Sequence, residues 1–364
     1  MADRILTLRE LNRTILARQM LVSRTSGSAP EAVSRLVGLQ AQSAMAPFVG
    51  LWTRVENLSR EEVAGLIEDR TILKATMMRG TLHLLTAADY LEFRSTLQPV
   101  FDGALAGILK GRADGLDVPK LLAAAKPFLA ESPRSFAELT RMAEKLLPGT
   151  DPGAMRYTIR MRLPLVQVPV AKGWSFPGNP KYALAESWLG RTVPPGDRFK
   201  ELVLRYLSAF GPASAADLQT WSGLGKERME ALRPELKTYR DEKGKELFDR
   251  PDLNIEDPDH PAPERFLPEY DNLLLSHANR TRVIADEHRS KVYIPVLRVR
   301  STILVDGFVA GTWKVEKSKG TATLIVEPFA KLSRSSRTAL SEEGEMLVRF
   351  VGYDAKLHEV RFET

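Results

Sequence analysis

Two glutamines separated by one small residue, Gln40-Ala41-Gln42, are the side chains of this sequence best placed to do chemistry. Side-chain amides are neutral, so neither can act as a true general base near pH 7, but two of them can hold and polarise a water molecule. We interpret the pair as a candidate active site. The alternative is that they are two ordinary polar residues after a helix, because so short a motif is a weak signal.

The residues around the glutamines predict how they are positioned. Ser28 stands three residues before Glu31, which is the register of a capping box, and apolar residues at helical spacing follow. A helix can continue only with difficulty through Gly38 and on to Pro47. Side chains at i and i+2 lie on opposite sides of a helix but on the same side of an extended segment. If the chain is extended at Gln40, both amides can face one cavity.

Cysteine and histidine usage argues against a metal site. The chain has no cysteine, which excludes disulfides and thiolate ligands. None of the five histidines has the short spacing to another that metal sites usually show, and they are His83, His260, His277, His288 and His358. There is no Gly-rich phosphate loop and no Gly-x-Ser-x-Gly elbow, so nucleotide hydrolysis and serine hydrolase chemistry are not indicated. We expect no metal and no other cofactor.

Length and hydropathy indicate a multidomain chain. At 364 residues, two to four compact units are expected. No apolar run reaches the ~18 residues that a membrane helix needs, and the first residues lack the basic and apolar regions of a secretion signal. We therefore expect a soluble cytoplasmic protein with no membrane partner.

Positive charge is concentrated in one segment. The net charge is +6, and residues 280–337 hold twelve Lys or Arg against five Asp or Glu, which gives +7 there and −1 for the rest of the chain. A polyanionic partner explains this segregation. The alternative is an exposed basic face that only aids solubility.

The first third of the chain has the element order of a winged helix. Apolar residues at helical spacing predict helices over residues 7–67, one of them behind a capping-box opener at Ser59. Two β-rich runs, 72–77 and 81–86, flank Arg79-Gly80 and predict a hairpin. Helices followed by a hairpin of this size are typical of a winged helix. We predict such a domain over residues 1–115, with its last helical segment broken at Pro99.

The same order recurs twice, and we predict further winged-helix domains over 116–190 and 191–255. The firmest internal signal is the correspondence of Ser-Pro-Arg-Ser-Phe-Ala-Glu-Leu at 132–139 with Gly-Pro-Ala-Ser-Ala-Ala-Asp-Leu at 211–218. The second repeat is predicted to end with a helix over 151–161 and a strand over 165–170. The third is predicted to end with a helix over 227–239 and a strand over 246–249.

A proline-rich segment, 251–263, marks the start of a different domain. It holds four prolines and four acidic residues, which prevent a continuous helix or an inner strand. Beyond it the apolar period changes from 3.6 to 2, and we predict a mostly β domain over 256–364. Its strands are expected at 292–294, 301–306, 308–315, 321–326 and 358–362, with one helix over 341–351.

Asp306-Gly307 is a strong hairpin-turn signal inside this β domain. A hairpin with Phe308 near its tip and a basic flank can enter a minor groove, where apolar side chains act as wedges. The alternative is a β-meander in which Phe308 belongs to the core.

Several of these motifs resemble the winged-helix DNA glycosylase superfamily, and within it most closely the glycosylases that unhook azinomycin interstrand crosslinks. The resemblance spans nearly the whole chain. It is carried by Leu11-Asn12-Arg13, Leu16-Ala17-Arg18-Gln19, the run 36–42, Arg79-Gly80-Thr81-Leu82-His83, Leu267-Pro268-Glu269-Tyr270-Asp271-Asn272-Leu273-Leu274 and the run 305–313.

The resemblance implies an α+β fold in which three tandem winged helices and a small barrel-like C-terminal module form a C-shaped cradle. It implies that Gln40 and Gln42 are catalytic, with Arg79 and His83 as possible active-site support. The residues expected to contact DNA are Phe308, Val309, Lys314, Lys317, Lys319, Arg298 and Arg300. A histidine packed within a wing is the alternative for His83.

The function implied is a monofunctional DNA glycosylase that hydrolyses the N-glycosidic bond of N7-alkylguanine and unhooks interstrand crosslinks. The expected partner is then double-stranded DNA with alkylated or crosslinked guanine. The protein is expected to be a monomer associated with the nucleoid. Its expected roles are DNA repair and self-resistance to a DNA-alkylating natural product. The alternative is a non-enzymatic winged-helix transcription regulator, for which three wings and a basic patch are equally suitable. That alternative predicts a sequence-specific site and usually a dimer.

Overall fold

The computed structural model describes residues 4–169 and 176–363. Its helices are α1 Leu8–Arg18, α2 Ala29–Arg35, α3 Ala46–Trp52, α4 Arg60–Glu68, α5 Ala87–Phe93, α6 Gln98–Leu109, α7 Val118–Glu131, α8 Phe136–Leu146, α9 Pro152–Arg162, α10 Ala185–Leu189, α11 Phe199–Phe210, α12 Ala215–Ser222, α13 Glu227–Glu230, α14 Asn272–Leu275, α15 Arg289–Val292 and α16 Arg334–Val351.

The strands alternate with these helices along the chain, and the fold is therefore α+β. They are β1 Ile5–Leu6, β2 Leu39–Gln40, β3 Ile72–Thr76, β4 Leu82–Thr86, β5 Arg134–Ser135, β6 Leu165–Gln167, β7 Lys181–Leu184, β8 Lys237–Asp241, β9 Glu246–Asp249, β10 Arg265–Leu267, β11 Tyr293–Ile294, β12 Arg298–Val299, β13 Thr302–Val305, β14 Phe308–Ser318, β15 Thr321–Pro328 and β16 Leu357–Phe362.

The chain divides into two compact units. The first unit comprises Met1–Arg60, Val203–Thr220 and Gly225–Thr364, and the second comprises Glu61–Leu202 and Trp221–Leu224. These units cut across the four predicted segments, 1–115, 116–190, 191–255 and 256–364, whose boundaries stay a prediction.

Helix α1 anchors the first unit. Thr7 and Glu10 form a capping box at its N-terminus. Leu11, Ile15 and Leu16 are buried, as expected for apolar residues that share one helical face. Strand β1, just before the helix, pairs in parallel with β8, so the first residues of the chain join the β8–β9 hairpin in a three-stranded sheet. This pairing was not predicted.

The C-terminal part of the first unit is a five-stranded sheet in the order β10-β13-β14-β15-β16. Neighbours are antiparallel except β15 and β16, which are parallel. Helix α16 contacts β10, β15 and β16 through buried residues such as Leu347, and it begins at Arg334 rather than at the predicted residue 341. Within the described residues the strand order ends at β10 and β16 and no closed barrel is shown, so the barrel-like form of this domain stays a prediction.

The second unit is built around the predicted hairpin. Strands β3 and β4 pair antiparallel, and hydrogen-bonded neighbours within this unit follow the order β4-β3-β6-β7-β5. Helices α7, α8 and α9 cover a core that includes Leu121, Leu139 and Ile159. The chain between α5 and α6 is broken just before Pro99, which lies in the first turn of α6 as a proline should. The predicted strand 165–170 is found as β6, and Val170 lies outside the described residues.

The internal repeat is visible in the two helix starts that suggested it. Ser135 and Glu138 exchange hydrogen bonds at the start of α8, from the Ser135 N–H to the carboxylate at 2.8 Å and from the Glu138 N–H to the hydroxyl at 3.3 Å. Ser214 and Asp217 exchange the same bonds at the start of α12, also at 2.8 and 3.3 Å. The repeated sequence therefore encodes a repeated local structure.

One predicted helix is wrong. Residues 227–239 form the short α13, a 3-10 turn over Arg233–Glu235 and the first half of β8, in which Tyr239 is buried. Pro234 cannot donate the backbone hydrogen bond that a helix interior requires, so the helix ends before it. Across residues 4–169 and 176–363, no helix combines the length and the apolar character needed to cross a bilayer.

Candidate active site and nucleic-acid interface

The glutamine segment leaves helix α2 through two residues with left-handed backbone. Val37 has φ 54° and Gly38 has φ 93°. The N–H of Gly38 donates to the carbonyl of Val33 at 2.9 Å, which closes the C-terminus of the helix. Leu39–Gln40 then forms the short strand β2. The helix ends before Gly38, as predicted, and the chain is extended at Gln40.

The two glutamines differ in exposure. Gln40 is 8% exposed, Ala41 is fully buried and Gln42 is exposed on a bend of the chain. The segment therefore passes from the interior to the surface within three residues, and the buried middle position suits a small side chain. Whether the two amides face one cavity stays a prediction.

Asn272 fixes the backbone just before the glutamines. Its Nδ2 donates to the carbonyl oxygen of Gly38 at 2.7 Å, and both groups are buried. Asn272 is the first residue of α14, whose N-cap is Asp271. Neither Asp271 nor Asn272 was predicted to have a role, since their segment contributed only to a resemblance. The available signal in the sequence was the polar pair Asp271-Asn272 at a helix start. The carbonyl that accepts from Asn272 belongs to Gly38, 234 positions away.

Asp271 in turn is held by a buried ion pair. Arg54 donates two parallel hydrogen bonds to its carboxylate at 2.8 and 2.9 Å, and both side chains are fully buried. Arg54 also donates to the carbonyl of Gly50 in α3 at 2.9 Å and to the side-chain oxygen of Gln19 at 3.2 Å. A bidentate pair of this kind has fixed geometry. It ties α14 to α3, and thus fixes the chain on both sides of Gln40 and Gln42.

A cleft of about 450 Å³ opens next to the glutamine segment, within the first unit. One wall is formed by Ser43, Met45, Ala46 and Val49 from the residues that follow Gln42. The other walls come from the C-terminal sheet region, and their residues are Pro268, Glu269, Ile294, Arg298, Arg300, Ser301, Trp313, Lys314 and Val315. The structure therefore brings three predicted DNA-contacting cations together with the chain adjoining the candidate catalytic motif.

The cations of this cleft are paired with carboxylates. Arg300 donates to Glu327 at 2.6 Å, and Lys314 lies 3.0 Å from Glu316 and 3.7 Å from Glu327. Burial acts to raise the pKa of Glu327, but hydrogen bonds from Arg300 and a threonine hydroxyl outweigh it and lower that pKa. The carboxylate is therefore charged at neutral pH. An incoming phosphate has to compete with it for both cations.

Other predicted DNA-contacting residues lie at the edges of the sheet. Arg298 is exposed and its guanidinium lies 3.7 Å from Glu269. Lys317 pairs with Asp354 at 2.5 Å near the exposed end of the β14–β15 hairpin. Lys319 is exposed at the turn of that hairpin, with φ 50°. Their contact with DNA stays a prediction.

The Asp306-Gly307 turn is present between β13 and β14, as predicted, but its tip packs against α1. Arg9 and Arg13 both donate to the Asp306 carboxylate, and Asn12 donates to the Gly307 carbonyl at 2.9 Å. The hydrogen bond from Arg9, aided by the charge of both arginines, lowers the pKa of Asp306. The tip is therefore held against α1, although Asp306 itself is exposed.

The two apolar residues that were expected to contact DNA, Phe308 and Val309, are half-buried and buried respectively. Val309 is 4% exposed, lies in the core cluster with Leu304 and donates its N–H to the carbonyl of Val283 at 2.8 Å. Phe308 is half-buried. Val309 is therefore a packing residue of the core. Contact of either residue with DNA stays an untested prediction.

His83 and Arg79 lie in the second unit. His83 is buried in β4, and burial, with the nearby charge of Arg79, lowers its pKa to about 3. The imidazole is neutral at physiological pH, and its Nδ1 lies 3.1 Å from the Thr81 carbonyl. Arg79, at φ 57°, donates to the carbonyl of Trp221. A supporting role for either residue stays a prediction. The described residues contain no group of three or more side chains arranged to hold a metal ion.

Comparison with known proteins identifies the family. A sequence model described as "DNA glycosylase AlkZ-like" matches residues 33–350. The chain is 25% identical over 373 aligned positions to the interstrand DNA cross-link repair glycosylase of Streptomyces sahachiroi, covering 93% of this chain and 94% of that protein. The solved structure of Streptomyces sahachiroi DNA glycosylase AlkZ has the same fold, with a TM-score of 0.82, 22% identity and coverage of 99% of this chain and 100% of the other. This chain belongs to the AlkZ-like DNA glycosylase family.

Proposed function

We propose that this protein is a monofunctional DNA glycosylase that hydrolyses the N-glycosidic bond of N7-alkylguanine, including guanine in interstrand crosslinks. The observation that carries the proposal is the placement of the glutamines next to a basic cleft. Gln40 lies on a short strand that is anchored through Gly38, and Gln42 lies on the bend that continues into the cleft wall. The relative from Streptomyces sahachiroi, named as a cross-link repair glycosylase, supports the substrate class.

The chemistry suits amide side chains. Alkylation at N7 makes guanine cationic, so the base departs as a neutral leaving group without a strong general acid. The bond from the sugar to N9 breaks, a water oxygen bonds to the sugar carbon, and the water proton passes to solvent. The amides of Gln40 and Gln42 hold and orient that water beside an oxocarbenium-like sugar. A neutral, buried His83 is consistent with a reaction that needs no acid.

The proposed reaction leaves an intact abasic site. Lyase chemistry would need an amine in the motif to form a Schiff base, and the motif supplies only amides. An open cleft lined by Arg298, Arg300 and Lys314 suits a crosslinked guanine, since its attachment to the second strand hinders flipping into an enclosed pocket.

We also propose that the three repeats are tandem winged helices that hold duplex DNA, and that the protein acts as a monomer. The matching caps Ser135/Glu138 and Ser214/Asp217 support the repeat. Protection of the cell from a DNA-alkylating natural product is the biological role that this substrate class suggests.

A base-release experiment tests the proposal. Purified protein is incubated with a duplex that carries one N7-methylguanine and with the same duplex undamaged, and free base is quantified. We expect release from the damaged duplex only, followed by strand cleavage only after alkaline treatment. Tight binding to both duplexes with no release would instead support the transcription regulator, and cleavage without alkali would contradict the monofunctional assignment.

A further inference from the structure

A row of buried polar side chains crosses the sheet of the second unit. Lys74 on β3 faces Gln167 on β6, which faces Tyr182 on β7, and the Gln167 amide donates to the Tyr182 hydroxyl at 3.1 Å. All three residues are less than 10% exposed. Buried polar groups on a sheet face are unusual unless they meet a partner.

Helix α9 adds two half-buried arginines to this row. Arg160 donates through Nε to the hydroxyl of Thr76 at 3.1 Å, and Thr76 lies on the same face of β3 as Lys74, two residues away. Burial lowers the pKa of Lys74 to about 8, and the charge of Arg160 contributes to the same shift. Arg156 lies four residues before Arg160, one turn away on the same face of α9. Burial raises the pKa of the Tyr182 hydroxyl, and the charges of both arginines oppose that shift. Three cations therefore converge on one sheet face.

These cations lack acidic partners. Within residues 4–169 and 176–363, Lys74, Arg156 and Arg160 form no ion pair with Asp or Glu, and the contact that Lys74 makes is with the ring of Phe176 at 5.6 Å. The cations of the cleft differ, because Arg300 and Lys314 are paired with carboxylates. A buried cation without a counter-ion is costly, so its retention points to an anion that binds there.

The polar row also provides a way to aim the ammonium group. The side-chain oxygen of Gln167 is buried without a hydrogen-bond partner in the described part of the chain. Lys74 stands directly opposite on the neighbouring strand. Its ammonium has three N–H groups, so it can satisfy that oxygen with one and direct the others to an anion.

We propose that Lys74, Arg156 and Arg160 form a phosphate-binding site in the second unit that holds a backbone phosphate of duplex DNA. Two planar guanidinium groups and an ammonium match the oxygens of a phosphodiester. The identification of the phosphate as that of DNA rests on the proposed function. It places one DNA contact on an element other than the predicted basic segment 280–337.

The test measures binding of undamaged duplex DNA to the full-length protein, so it does not depend on base release. The double variant Arg156→Gln/Arg160→Gln should weaken binding about tenfold and flatten the slope of log K against log salt by roughly one unit for each lost contact. Lys74→Met should weaken binding in the same direction. The matched control is Arg162→Gln on the same helix, where the guanidinium is already paired with Asp102 at 3.2 Å, and its affinity should change less than about twofold.

Two further readouts separate the outcomes. Single-turnover base release by the double variant should require a higher protein concentration to reach saturation, because the site contributes to binding of the DNA. A double variant that melts like the parent and keeps the parental affinity and salt slope overturns the site. Thermal stabilisation of the parent by inorganic phosphate, with unchanged DNA affinity in the variants, overturns the DNA assignment. If the parent protein binds DNA but releases no base, the proposed function is contradicted. The binding measurements still test the phosphate site in that case, because they do not depend on base release.

Discussion

The side-chain amide of Asn272 donates a 2.7 Å hydrogen bond to the carbonyl of Gly38, two residues before Gln40. The acceptor belongs to a residue with φ 93°, which L side chains rarely adopt, so the bond holds a backbone shape that the local sequence alone does not secure. The exit direction of the chain at Gly38 sets where Gln40 and Gln42 lie. Asn272 is therefore a positioning residue for the candidate active site.

Asn272→Ala should lower the rate of base release at saturating protein by 10- to 100-fold, because a small displacement of the glutamines misplaces the water. Loss of the buried bond should also cost about 1–3 kcal/mol of unfolding free energy. The matched control is Asn12→Ala, which removes a buried amide that donates to the carbonyls of Arg282 and Gly307. If Asn272→Ala and Asn12→Ala lose equal stability and also release base equally slowly, Asn272 has only a structural role.

Glu327→Gln should tighten binding to duplex DNA several-fold and steepen its salt dependence. The substitution keeps the shape of the side chain but removes the charge that competes with phosphate for Arg300 and Lys314. Glu359→Gln, on the exposed face of β16, changes the net charge equally and should alter affinity much less. The measurement is the DNA affinity of the parent and both variants as a function of salt concentration. Equal changes in the two variants would show an effect of net charge alone and would contradict the competition by Glu327.

The hairpin tip at Gly307 should prove to be structural. A Cβ there would lie 2.6 Å from side-chain atoms of Asn12, Arg13 and Leu16, and φ is +79°, so Gly307→Ala should lower the free energy of unfolding by more than about 1 kcal/mol. Phe308→Ala should likewise lower the melting temperature while leaving the dissociation constant for DNA unchanged. A Phe308→Ala protein that melts like the parent but binds DNA weakly would restore the minor-groove prediction.

Acid should destabilise the fold through its buried histidines. Burial lowers the pKa of both His83 and His277 to about 3, below the ~6.5 of an unfolded histidine. Between those values the unfolded chain binds protons that the native state excludes, so the stabilisation is complete above pH 6.5 and is lost as the pH falls towards 3. At pH 5 each histidine should account for about 2 kcal/mol of lost stability. Melting temperatures from pH 7.5 to 5 should fall less steeply for His83→Gln, and parallel curves would refute its contribution.

Local signals in the sequence predicted local structure well. The capping box at Ser28 and the Asp306-Gly307 turn form as expected, because their contacts join residues that are near in sequence. The extended backbone at Gln40 followed from the glycine and proline on either side. The predicted helix over 227–239 failed where helical apolar spacing was given more weight than Pro234.

Contacts between distant residues were not predictable from one sequence. Nothing near Asn272 indicates that its acceptor is Gly38, and nothing near Asp306 indicates that Arg9 and Arg13 hold it against α1. The latter contact changes the interpretation of the hairpin from a projecting element to a packed one. Pairing of each cleft cation with a carboxylate was likewise hidden, since Arg300 and Glu327 are distant in sequence.

The most direct test of the central claim is single-turnover release of N7-methylguanine by the parent, Gln40→Ala and Gln42→Ala. The proposed water-holding role predicts that each alanine variant releases base more slowly by orders of magnitude while melting and binding DNA nearly as the parent does. Gln42→Asp should keep part of the activity, because a carboxylate can also hold the water. Release at the parental rate by both alanine variants would contradict the assignment of the active site to these glutamines.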